Sequence, residues 1–165
     1  MYKLIVLLLI TTLLMGCGDK SVKVTCCDAD PYFTVFSGGQ ALVPNVFTPN
    51  SDGVNDSFGP ELEGVASYEM TIVNTKEDVL FTSSSSGRWN GKVDGQPFNG
   101  IVGWTMILRT DKVETITIFG QVCVLEDTDG ICPNNVANCV FGNQADFASG
   151  TFDTDNPSNE SLCIE

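Results

Sequence analysis

Between residues 31 and 125 turn signals recur about every eight to twelve residues, and no stretch between them carries a convincing amphipathic helical period. That rhythm restricts the chain to short strands, about seven of them, and predicts a β-sandwich. Residues 31–36 (PYFTVF) form a β-prone run ended by Ser37, Gly38 and Gly39. Residues 42–47 form a second run, interrupted by Pro44, which predicts a strand at a sheet edge. Residues 68–73 (YEMTIV) alternate apolar and polar side chains, and a turn-like link at 74–78 joins them to 79–82 as a hairpin. Residues 83–87 are a low-complexity serine loop, expected to be exposed and mobile. Strands at 104–109 (WTMILR) and 113–119 (VETITIF) flank a two-residue turn, Asp111-Lys112. In the second of these Val113, Thr115, Thr117 and Phe119 share one face, and Glu114, Ile116 and Ile118 the other. Gly120 then predicts a bulge before the strand resumes at 121–125.

The stretch with the most chemistry is 43–58, VPNVFTPNSDGVNDSF. Two prolines and a glycine among short polar side chains make it an irregular loop. Its oxygen-bearing side chains around Gly53 suit a hard cation. Aligned on the turn glycine of an EF-hand loop, Thr48, Asn50 and Asp52 fall at ligand positions, as do the Val54 carbonyl and Asp56. Gly59 stands where the bidentate glutamate is required, and no helices flank the loop, so it is not an EF-hand. The expectation is a calcium loop of the kind β-sandwiches carry, with Asn50, Asp52, the Val54 carbonyl and Asp56 as ligands. The alternative is a turn held by Asx hydrogen bonds alone. A weaker candidate lies at 126–132 (EDTDGIC), where Asp127 and Asp129 alternate before Gly130 and Cys132; it resembles a thrombospondin type 3 calcium repeat.

The sequence of residues 43–58 resembles the opening of the gliding motility-associated C-terminal domain. Bacteroidota append that domain, as a type B sorting domain, to proteins handled by the type IX secretion system. The family's loop reads Asn-Gly-Asp-Gly-x-Asn-Asp, and Ser51 replaces its first glycine here. Further matches are residues 68–74 (YEMTIVN), Val79-Leu80-Phe81, Trp89-Asn90-Gly91, 95–100 (GQPFNG) and the final strand pair. The resemblance covers residues 43–125, about half the chain. It implies an all-β, immunoglobulin-like antiparallel β-sandwich for residues 31–125, and an exported protein.

The beginning of the chain is an address. Lys3 and the apolar run 4–14, too short to span a bilayer, make residues 1–16 a signal peptide. The following Leu14-Met15-Gly16-Cys17 resembles a bacterial lipobox, which implies lipidation of Cys17 and a tether over 17–30. An ordinary secretory peptide with a chance cysteine is the alternative. Beyond it stand Cys26, Cys27, Cys123, Cys132, Cys139 and Cys163, an even number, which in an exported protein implies disulfides. Adjacent cysteines rarely bridge each other, so Cys26 and Cys27 are expected to pair with cysteines of the tail. That would staple residues 121–165, which include the acidic extension 126–165, across the N-terminal segment. A thiolate metal site is the competing reading, and no CxxC pair supports it.

The net charge of −13 argues against a nucleic-acid partner. From 121 to 165 there are eight Asp or Glu and no Lys or Arg, either a solvated acidic tail or a second cation-binding region. The chain has no histidine, which removes the commonest general base and transition-metal ligand. No nucleophile elbow, phosphate loop or zinc motif is present. Paired carboxylates for glycoside hydrolysis are the one catalytic arrangement left open. Trp89 and Trp104 are expected in the core, with sugar stacking as the alternative role of each.

These features lead to a non-enzymatic lipoprotein, anchored in the outer membrane and facing the cell surface, that serves adhesion, gliding or envelope assembly. Its partners would be envelope, gliding or secretion proteins, or surface glycans. A type IX secretion substrate or accessory protein is the second expectation, and a calcium-dependent glycan-binding module the third.

Overall fold

At Pro44 the chain leaves one sheet and enters another. The computed structural model describes residues 29–112, 114–125 and 139–160. Strands β1 (Tyr32–Phe36), β2 (Gly39–Val43) and β4 (Glu61–Glu63) form an antiparallel sheet in the order β1-β2-β4. Strand β3 (Val46–Phe47) lies instead at the edge of a five-stranded sheet with β5 (Val65–Val73), β6 (Val79–Ser83), β9 (Gly100–Thr110) and β10 (Thr115–Val124). The order is β3-β10-β9-β5-β6, and β3 pairs parallel to β10 while the other pairs are antiparallel. The single edge strand expected over 42–47 is therefore two strands in two sheets. Proline supplies no N–H to a ladder, so the break falls where pairing would need one. Two small ribbons, β7 (Lys92–Val93) with β8 (Gln96–Pro97) and β11 (Ala145–Asp146) with β12 (Thr151–Phe152), complete an all-β fold.

The two main sheets share one core. Ala41 and Val43 of β2 cluster with Tyr68, Met70 and Ile72 of β5 and with Val102, Trp104, Met106 and Leu108 of β9. The period of two in residues 68–73 and 104–109 puts these side chains on the same inward face. The β9–β10 hairpin turns at Asp111 and Lys112, but the Thr110 N–H donates to the Glu114 carbonyl at 3.0 Å and β10 begins at Thr115, so the connection is longer than the two-residue turn expected. The link at 74–78 is a hairpin turn organised by Asn74, whose side-chain oxygen accepts the Lys76 and Asp78 N–H groups at 2.8 and 2.9 Å.

Two local expectations are corrected. Gly120 is not a bulge: β10 pairs with β9 without interruption, and Gly120 sits directly opposite Trp104. A Cβ at Gly120 would lie 2.6 Å from the Trp104 ring, so the glycine makes room for an indole lying across the strand. The serine loop is exposed but fastened. Ser83 Oγ accepts the Gly87 N–H, Ser86 Oγ accepts the Tyr68 N–H, and the Ser86 N–H donates to the Tyr68 carbonyl.

A further layer comes from residues 139–160, which fold back onto the body. Gln40 and Leu42 are on the outward face of β2, since Ala41 and Val43 point inward. Leu42 is nevertheless 0% exposed, and the Gln40 side chain donates to the Phe147 carbonyl at 2.8 Å. Gly142 lies against the Glu61 carboxylate on the neighbouring strand β4. The extension thus covers the outer face of β2 and β4, while Phe33 and Val35 of β1 stay exposed.

Candidate functional site

The acidic loop begins where β3 ends and returns to the body at Phe58, which bridges to Trp89 through two backbone hydrogen bonds of 2.8 and 2.9 Å. Ser51, Gly53 and Asn55 all take positive φ, at 68°, 93° and 44°. Glycine and asparagine adopt this region readily, so the Gly53 and Asn55 of the motif meet a backbone need. The loop closes on itself through its own acids. Asp56 accepts the Ser51 and Gly53 N–H groups, one on each carboxylate oxygen. Asp52 Oδ1 accepts the Val54 N–H at 2.8 Å, and Asn50 Oδ1 accepts the Asp52 N–H at 3.0 Å. The Asn50 side-chain amide donates to Asp52 Oδ2 at 3.1 Å. These are the Asx hydrogen bonds of the alternative reading, and each carboxylate oxygen keeps lone-pair capacity for a cation. Among the described residues no three of Asp, Glu, Cys and His converge as a metal-binding group. Asp127 and Asp129 lie outside the described residues, as does Cys17.

The loop meets the extension through Asn55. Its amide donates to the Ser158 carbonyl at 3.2 Å and to Glu160 Oε1 at 2.9 Å. Its side-chain oxygen accepts the Asn143 N–H at 3.4 Å. Asn143 in turn donates to the Ser158 carbonyl at 2.8 Å, and Gln144 to the Asn156 carbonyl at 2.7 Å, which ties the two arms of the extension together. The Glu160 carboxyl is pushed above its usual pKa chiefly by burial, and also by the neighbouring Asp52 and Asp56 charges. Thr48 and Asn55 pull it the other way. Thr48 Oγ1 and Glu160 Oε2 are both buried without a hydrogen-bond partner among the described residues.

Sequence reasoning missed Glu160 and Asn55 as partners, because 105 positions separate them and nothing local marks either. It also missed Asn45, which is 0% exposed. The Asn45 amide donates to the Ala29 carbonyl at 2.6 Å, and its oxygen accepts the Val140 N–H at 2.7 Å. Its backbone donates to the Val140 carbonyl and accepts from the Cys123 N–H. The only signal for it was a polar residue between apolar neighbours in a run that ought to be buried.

The tryptophans are core residues. Trp89 is 1% and Trp104 3% exposed. Trp89 packs on Phe47 and Phe98 at ring-centroid distances of 5.7 and 6.1 Å, and its indole N–H donates to the Lys92 carbonyl. Tyr32 meets Trp104 edge-on at 5.8 Å. Neither indole offers a face on which a sugar could stack, which corrects the glycan-stacking alternative for both residues. Cys123 and Cys139 are disulfide-bonded and share a second small core with Val46, Leu125 and Phe141. Cys26, Cys27, Cys132 and Cys163 lie outside the described residues. No family model, curated protein or solved structure matches the chain.

Proposed function

We propose that this chain is a non-catalytic envelope module: a lipoprotein held through Cys17, with an immunoglobulin-like sandwich as its body, that serves adhesion, gliding or envelope assembly. The observation that carries this reading over a secretion-signal role is the seating of the extension. A sorting domain of the kind that residues 43–125 resemble normally ends its chain. Here the signature loop is engaged by Asn143, Ser158 and Glu160 of the residues that follow it. Two sheets around one core, with the chain crossing between them at Pro44, support the sandwich. The oxidised state of Cys123 and Cys139 supports the expectation that disulfides staple residues 121–165 across the N-terminal segment. Without histidine, and with both tryptophans buried, the chain has little with which to act on a small substrate.

The test is membrane fractionation followed by protease shaving of intact cells. The expected result is a membrane-bound protein removed by shaving, with a Cys17→Ser variant released from the membrane fraction. A wild-type protein recovered in the soluble fraction would overturn the anchored reading. A reporter fused to residues 43–125 and secreted on that account would favour the sorting role instead.

Calcium belongs to the same reading, as a structural ion of the acidic loop held by Asn50, Asp52, the Val54 carbonyl and Asp56. Millimolar calcium is expected to raise the melting temperature of the wild type and to leave Asp52→Ala unmoved. An unchanged wild-type melt would remove calcium from the account.

A further inference from the structure

Strand β1 ends its sheet with nothing built to keep another strand away. The opposite edge of the same sheet, β4, carries Glu61 and Glu63, charges of the kind that blunt an edge. β1 reads YFTVF, with no charge, proline or bulge over its five residues. Phe33 and Val35 point outward at 62% and 68% exposed, beside the part of the same face that the extension covers. The pair Phe36–Gly39 closes the two-residue turn Ser37-Gly38, so Tyr32, Thr34 and Phe36 bond to β2. The backbone N–H and C=O groups of Phe33 and Val35 therefore point to the free edge. Among the described residues no strand pairs with that edge.

We propose that this edge pairs with the same edge of a second copy of the chain, antiparallel about a twofold axis at Thr34. In that register the strand is complementary to itself. Phe33 lies across from Val35 of the second copy in a pair that exchanges two backbone hydrogen bonds, and the axis repeats the pair. The four outward side chains make one apolar cluster. On the inward face Tyr32 meets Phe36, and both already pack against the core. Pro31 precedes the strand and limits the pairing to its five residues. Charge fits the same register. Asp30 falls across from Gly38, over which the Lys112 side chain lies. A Cβ at Gly38 would be 2.8 Å from Lys112 Cε, and Lys112 Nζ donates to Ser37 Oγ at 3.4 Å. Asp30 and Lys112 are exposed and enter neither ion pair found among the described residues. The axis thus brings Asp30 of each copy to Lys112 of the other. Such an isologous contact closes at two copies, because each edge is consumed by the other. Five residues a side bury less than the about 1,200 Å² of a standard interface, so the dimer is weak and depends on concentration.

Sedimentation of the full chain at rising concentration tests the pairing, in about 0.15 M salt so that charges more than about 8 Å apart are screened. The expected result is a monomer–dimer equilibrium. Val35→Lys changes an exposed side chain and keeps the β1–β2 ladder. It should weaken the dimer about tenfold or more, since both copies carry it, and melt with the wild type. Lys112→Asp should weaken the dimer several-fold, and adding Asp30→Lys should restore it. Thr34→Cys sets two thiols across the axis at a Cα separation of about 4.5 Å, within disulfide range. It should give a crosslinked dimer under an oxidant that leaves the wild type uncrosslinked. A wild type monomeric throughout, with no such crosslink, would overturn the pairing and leave the edge to a strand of another protein. A dimer that Val35→Lys does not weaken would put the contact elsewhere and overturn it too.

Discussion

Trp89→Ala is expected to cost about 3–5 kcal/mol of folding stability, the range for truncating a large buried aromatic. The residue is 1% exposed, and its loss removes contacts to Phe47 and Phe98 and the hydrogen bond to the Lys92 carbonyl. It also loosens the Phe58–Trp89 bridge that ends the acidic loop. Against a total stability of about 5–15 kcal/mol for a domain, that loss is most of the margin. Urea denaturation of the purified chain measures it, with Trp89→Phe as the control that keeps a ring in the cavity and should lose markedly less. A surface tryptophan would change stability by less than about 0.5 kcal/mol on truncation, so a result in that range would contradict the burial described here.

Asn45→Ala comes next. The alanine leaves the Ala29 carbonyl and the Val140 N–H without the partners that the Asn45 side chain provides, at about 1–3 kcal/mol for each buried group left unpaired. Because those partners come from the N-terminal segment and the extension, the damage should be local before it is global. Protease is expected to attack residues 139–160 first, at denaturant concentrations where the two-sheet core still holds. Asn45→Asp is a sharper probe. Its carboxylate can still accept from Val140, but it cannot donate to Ala29 and places a charge where nothing is exposed. It should be no more stable than the alanine variant. Wild-type protection of the extension in Asn45→Ala would show that the asparagine is not what holds it.

Much of the strand layout was legible locally because a strand with one buried face writes a period of two into its own residues. The alternation in 68–73 and 115–119 and the Asn74 hairpin link belong to interactions between neighbours in sequence. The acidic loop was legible for the same reason: its Asx hydrogen bonds span only a few residues, and Gly53 and Asn55 answer a backbone requirement. What the chain order concealed was everything carried by distance. A proline can mark a sheet edge or a crossing between sheets, and at Pro44 only the pairing of β3 with β10 distinguishes the two. Gly120 reads as a bulge until Trp104 is seen opposite it, because the cross-strand neighbour that excludes a side chain is sixteen residues away. The tail reads as a solvated acidic segment by composition, yet its part at 139–160 lies over Leu42 and Gln40. Its acids are spent partly on the protein itself, Glu160 on Asn55 and Asp146 on Ser149. Local chemistry therefore determined which segments are strands and which turns. Only the tertiary structure decided which sheet each strand joins and what closes over the acidic loop, because those depend on partners that no local pattern names.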